Sequence, residues 1–333
     1  MLRSRSAEFG SKLLEDFSQS AAELSHSLKQ RARAKVVWYF DAPADVRRKH
    51  ILTAYRVNHS FYESIRSLFE LHNETLNVWT HILGCVFFVA CLVHCASEGI
   101  EEGLPPESGR LERWPLYVFI GSALICLGNS AVYHLWGTAN ERWYAKLANL
   151  DYAGIVALIV GSCCPVVHFG FGPTHSQTRA MYMLGILALG VLVLVCSLSR
   201  WFDKYERTRI CLFVSLGLSG VVALLHAMIA HDFSPATTSL FLGVAQMGAT
   251  YLTGVSFYAT HFPEVSWPKR FDIVGSSHQL WHACVLLAAF FHFQTVLALW
   301  RSSALELHAL GLTERTISLT EHALGAVAAT YAE

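Results

Sequence analysis

The sequence predicts an all-α fold: a seven-transmembrane helix bundle with a cytosolic N-terminus, a C-terminus outside, and short cytosolic amphipathic helices before the first span. Three observations carry this. Residues AVILMFWYC make up 53% of the 333 residues and DEKR only 15%, with a mean hydropathy of +0.37, a balance water-soluble chains rarely show. Seven apolar stretches are each long enough to cross a hydrocarbon layer of about 30 Å, which takes roughly 20 helical residues. Basic residues crowd alternate loops.

Residues 1–70 read as a cytosolic N-terminal region. Its stretch "SKLLEDFSQSAAELSHSL" spaces Leu13, Leu14, Phe17, Leu24 and Leu28 at helical intervals, and "SFYESIRSLFELHNETLNVW" does the same with Phe61, Ile65, Leu68 and Phe69. Such helices suit the membrane interface, a binding partner, or a place packed beneath the bundle. The spans fall near 77–97, 115–136, 146–168, 180–199, 208–231, 238–260 and 276–300. Pro105, Pro106, Pro173, Pro235, Pro263 and Pro268 mark breaks between them. Residues 71–302 thus form the membrane domain, and 303–333 an extracellular or lumenal tail. No short apolar core with a cleavage site comes after "MLRSRSAEFGSK", so no secretory signal is expected. The nine cysteines all lie in apolar stretches and none forms CxxC, so they read as packing residues. The formal net charge is zero, and no nucleic-acid partner is expected.

Loop charge sets the orientation. Of the 25 Lys and Arg, 20 lie before the first span or in the loops after spans two, four and six, counting Lys146 and Arg209 at the edges of the spans that follow. The loop after span one, "SEGIEEGLPPESGRLER", is acidic. The positive-inside rule puts the N-terminus in the cytosol, the reverse of the usual G-protein-coupled receptor arrangement. The chain is thus an integral multi-pass protein of the plasma membrane or an endomembrane.

Three polar sites then fall at one depth. Span two ends "NSAVYHLWG", with Ser130 and His134 one helical turn apart. Span three begins "KLANLDYAGI", with Asp151 just inside, and span seven begins "SSHQLWH", with His278 and His282 on one helix face about 5–6 Å apart. At 1.5 Å per residue, His134 lies roughly 5 Å and Asp151 roughly 8 Å inside the cytosolic boundary. Three imidazoles there suit a transition metal, zinc by default, with a fourth position left for water. Zinc lowers the pKa of that water towards about 7. Soluble HExxH proteases supply a glutamate base at the position held here by Gln279, so Asp151 becomes the candidate base. Ser130 would stabilise the developing oxyanion or orient the water. A structural zinc remains open, the more so if Asp151 is a fourth ligand. His94 and His226 read as ordinary helix-packing histidines.

"LHNETLNVWTHILG", "SAVYH", "KLANLDYAG" and "SSHQLWH", in that order over about residues 50–300, resemble the progestin and adipoQ receptor family. That family takes in adiponectin receptors, heptahelical proteins and haemolysin III-like proteins, and is related to alkaline ceramidases. The resemblance implies seven helices with a cytosolic N-terminus and zinc on His134, His278 and His282. It places Ser130 and Asp151 in catalytic or supporting roles, and suggests hydrolysis of a ceramide-type membrane lipid. "HNET" carries no assigned chemistry; an N-terminal cap from Asn73 or Thr75 is its physical reading. Three functions are then expected. One is a zinc hydrolase of lipid amides. Another is a receptor with a structural zinc, an extracellular ligand and a cytosolic signalling partner at the N-terminal region. The third, a zinc or proton transporter, is disfavoured because the outer halves of the spans offer no polar ladder.

Overall fold

The computed structural model describes residues 36–97, 101–104, 112–172, 175–199 and 205–330. Among them are seven helices long and apolar enough to cross a membrane: Thr75–Ala96, Trp114–Gly137, Arg142–Phe171, Ser176–Ser197, Glu206–Ala230, Pro235–Thr260 and Ser277–Glu306. The chain is an integral multi-pass membrane protein. Each expected span is present, with edges moved by a few residues. The third helix starts earlier, at Glu141, where the Asn140 side chain accepts from Arg142 N at 3.0 Å and caps it. Span two opens with Pro115 in its first turn, where its missing N–H costs nothing. The last helix does not stop near 300 but continues to Thr330.

Span three is the centre of the bundle: 67% of its apolar window is buried, against 22% for span four. It packs on spans two, four and five, while span seven closes against spans six and one. Phe88, Phe119, Leu127, Val296 and Trp300 form the middle of the core, all fully enclosed. Gly154 explains how span three comes so close to span two, because a Cβ there would lie 2.8 Å from the Cys126 Cα. That contact is one turn beyond Asp151.

The segment before span one folds back under the bundle. Two-residue strands, Val36–Val37 and Tyr55–Arg56, pair antiparallel. Ala42, Val46, Ile51, Tyr55 and Val57 bury a small core of their own. Next comes the short helix Phe61–Arg66, closed by a capping box between Ser60 and Glu63. Its apolar side points away from the bundle, with Phe61 66% and Tyr62 75% exposed, while Ser64 and Ser67 face inward. The helix thus sits beneath the bundle by its serine side, with Phe61 stacked on Trp136, and leaves apolar surface exposed that suits the membrane interface or a partner. The other expected helix, over 11–28, lies outside the described residues.

Candidate metal centre

His134 closes span two, but not on a regular α-turn. Tyr133–Gly137 forms a π-helical turn, closed by Thr138 N donating to Tyr133 O at 3.2 Å, directly after the α-helical stretch that carries Ser130. Such wide turns recur at functional sites and leave carbonyls short of partners. Here a buried arginine takes them. Arg56 Nη2 donates to His134 O at 2.6 Å and to Thr138 Oγ1 at 3.2 Å, and Nη1 donates to Leu135 O at 3.2 Å and to Ser67 Oγ at 2.7 Å. Burial pulls this guanidinium down to about 10, still charged at neutral pH.

The two histidines of span seven are set by the loop before it. Glu264 accepts from Ser277 N at 2.7 Å and from the Ser277 hydroxyl, fixing the first turn beside His278. Gln279 uses both ends of its amide. Oε1 accepts from Gly275 N at 2.6 Å and Ser276 N at 3.3 Å, and Nε2 donates to Ile273 O at 2.8 Å and Asn73 O at 3.3 Å. A glutamate could not make the last two bonds. That is why the position held by a base in HExxH proteins holds an amide here.

His134, His278 and His282 converge. One ring nitrogen from each lies within 4.8 Å of the others, an arrangement that could hold a metal ion. The His278 and His134 Nε2 atoms are 3.3 Å apart. The remaining nitrogens of two rings are engaged elsewhere: His134 Nδ1 donates to Glu74 Oε2 at 2.7 Å, and His282 Nδ1 donates to Asn77 O at 3.2 Å. Both bonds require the Nδ1–H tautomer and leave an Nε2 lone pair aimed at the common centre.

Asp151 is not part of that group. Its carboxyl is hydrogen-bonded to the buried Ser130 side chain.

Glu74, in "HNET", is the residue whose role the sequence did not disclose. It is 2% exposed and holds three partners: Arg48 Nε donates to Oε1 at 2.8 Å, while His134 Nδ1 and Asn77 Nδ2 donate to Oε2, the latter at 2.5 Å. Burial pushes its carboxyl up, but Arg48 and then His134 outweigh this and hold it well below the usual range, so it is ionised. The expected cap does not form. Glu74 itself precedes the helix without a side-chain cap bond, Thr75 Oγ1 bonds His72 N and Glu70 O, and neither polar atom of the Asn73 side chain has a partner among the described residues. An acidic residue at the mouth of an apolar span was the available signal, because such a charge is costly without a function. The N-terminal segment is also tied on the far side of the site, where Asp272 Oδ2 accepts from Leu52 N at 3.0 Å and Thr53 Oγ1 at 2.8 Å.

A cavity of about 260 Å³ opens beside the cluster, between spans three, five, six and seven. His278 is in its wall. Near that end sit Tyr152, Tyr258 and Arg209, with the Arg209 guanidinium 4.4 Å from the Tyr152 ring centroid. The rest of the lining is largely apolar and extends to His292, fourteen residues along span seven, a run of about 21 Å.

Residues 69–293 match the family model described as haemolysin-III related. Among curated proteins, the chain is 34% identical over 284 residues to heptahelical transmembrane protein 1 of Arabidopsis thaliana, covering 82% of this chain and 84% of that one. It is 34% identical over 243 residues to the adiponectin receptor protein of Drosophila melanogaster, covering 70% of this chain and 53% of that one. The progestin and adipoQ receptor-like protein 1 of Caenorhabditis elegans gives 34% over 242 residues, with 70% and 53% covered. The chain thus spans most of the plant relative and about half the length of the two animal ones.

Proposed function

The chain belongs to the haemolysin-III-related family, and from that premise we propose that it is a zinc protein which hydrolyses a ceramide-type lipid amide at the end of the bundle carrying the histidines. One observation carries the reading: His278 belongs both to the histidine cluster and to the wall of the elongated apolar cavity. A metal centre and a space suited to an acyl chain share a residue.

The donor set fits zinc. Zn–N bonds of about 2.0–2.1 Å at tetrahedral angles put ligand nitrogens roughly 3.3–3.4 Å apart, and the His134–His278 pair is at 3.3 Å before any ion is considered. When bound, zinc supplies a Lewis acid and brings the pKa of water at its open position to about 7. The protein's own groups do the rest. His134 is held by Glu74 and by Arg56 on its carbonyl, so its ring cannot swing away. Asp151, oriented by Ser130, accepts the proton released on attack at the amide carbonyl and returns it to the departing amine. Tyr152, Tyr258 and Arg209 offer donors to the polar head of an amphiphile whose chain extends towards His292. The excess of Lys and Arg in the N-terminal region and alternate loops supports a cytosolic N-terminus, and with it a site at the inner leaflet.

Purified protein carrying about one zinc per chain should release fatty acid from ceramide, and D151N should abolish release while keeping the metal. Equal release by both would overturn the hydrolase. A second reading, a receptor whose zinc is chiefly structural, is favoured by the Arg48–Glu74–His134 chain, which ties the N-terminal segment to the cluster. Chelation should then lower the melting temperature sharply, and no lipid product should appear.

A further inference from the structure

Span one places a fourth imidazole against the cluster, and neither reading above uses it. His81 is 3% exposed and lies flat on His282, with ring centroids 3.8 Å apart and planes 8° from parallel. Neither of its nitrogens has a hydrogen-bond partner among the described residues. A neutral imidazole carries one donor and one acceptor, and enclosing both without protein partners deep in an apolar span is costly. Hydrogen bonding within the protein therefore gives no account of the ring. The stack does.

We propose that His81 is a positioning residue for the metal: its flat face fixes the rotation of the His282 ring, so that Nε2 points into the cluster. The inference rests on the zinc reading and deepens it. His282 has one edge restraint, the 3.2 Å bond from Nδ1 to Asn77 O, with Thr80 Oγ1 3.5 Å from the same nitrogen. The second side-chain torsion of histidine is broad, so one bond of that length leaves the ring free to rock. A parallel face at 3.8 Å removes that freedom. Metal binding draws electron density from the His282 ring, and an uncharged π face opposite an electron-poor ring is attractive in a way an aliphatic side chain is not.

The backbone is shaped for the same contact. At Gly84, three residues on, a Cβ would lie 2.9 Å from Leu127 Cδ1 and 3.0 Å from Leu286 Cδ1. Glycine there lets span one press against spans two and seven, which brings His81 within stacking range of His282. Asn77, which supplies the edge restraint, lies one turn before His81 on span one. Edge and face of one ligand are thus held by a single helix.

The test uses the full chain in detergent, comparing wild type with H81F, H81L and H81Q. Zinc retention against graded chelator and the visible d–d bands of Co²⁺-loaded protein are the readouts. H81L and H81Q should weaken zinc binding about 10–100-fold, the range for residues that orient a metal ligand, and should shift the cobalt bands. H81F, which keeps a flat uncharged ring, should stay close to wild type in both. Since H81Q tests the same loss of a ring face, a failure of H81L to fold does not protect the proposal. Wild-type affinity and spectrum in H81Q would overturn it while leaving the zinc reading intact. H81F as weak as H81L would equally overturn it, since the nitrogens and not the face would then matter. A wild-type chain that takes up no zinc would sink both.

Discussion

At the end of the bundle that carries the histidines, Arg56, Glu74, Glu264 and Asp272 are all buried, and each holds two or more polar partners. At the opposite end the charged contacts sit nearer the surface. Glu112 meets His168 from a side chain 61% exposed, and Arg113 pairs with a half-buried Glu101. Apolar packing and these more exposed polar contacts hold the helices together at the second end. At the first, the chain encloses charges that would be costly unless each had its counterpart. Among the described residues, these densely partnered buried charges gather at the end where the three imidazoles meet.

The sharpest way to break this contrast is E74Q. It leaves Arg48 enclosed without its carboxylate and weakens the hold on His134 Nδ1, so stability should fall by about 3–5 kcal/mol and zinc affinity about 10–100-fold. Thermal unfolding and metal retention measure the two effects, and a change below 1 kcal/mol would show that the network is ornamental. A smaller effect comes from pH. Burial first, then Arg56, pulls His72 down to about 3, well under its ordinary 6.5. The unfolded chain therefore binds the proton more readily. Its contribution is whole above pH 6.5 and is lost as pH falls from 6.5 towards 3, at up to about 1.4 kcal/mol per pH unit. H72N should flatten that slope in chemical unfolding at pH 5 and 7.

Third in size is a pair of glycines. Gly154→Ala forces a methyl against the Cys126 backbone and should cost about 1–3 kcal/mol, displacing Asp151 along with its helix. Gly185→Ala on the peripheral fourth span meets nothing within 4 Å and should be neutral or stabilising by up to about 1 kcal/mol. Least of all should be E112Q, at the sparse end. An exposed pair contributes at most about 1 kcal/mol, so its melting temperature should hardly move.

The seven spans and the grouping of three histidines that could hold a metal ion were legible in the sequence for simple reasons. Lipid demands about 20 apolar residues, and polar residues at three span ends are conspicuous against that background. Glu74, Arg48 and Arg56 were not legible as site residues. Their burial comes from a segment that folds back to meet His134 some 60 to 86 positions later in the chain, and no local pattern encodes such a fold-back. The early start of span three and the late end of the last helix were missed because hydropathy reports what the bilayer requires, while helicity depends on the backbone. Asn140 caps one, and after Glu306 the other continues without the apolar content of a span. His81 stood in plain view in "WTHILG", but no neighbour in the sequence suggested a partner 201 positions away.

The wide turn at Tyr133–Gly137 constrains length more than identity. Every residue added to or removed from a helix swings the downstream chain by about 100°. Deleting any one residue of "YHLWG" would therefore snap the stretch back to ordinary winding and carry Thr138 away from Arg56. Side-chain swaps at Trp136, whose indole stacks outward on Phe61, leave the winding untouched. The address of His134 is thus written in the count of residues around it as firmly as in their names.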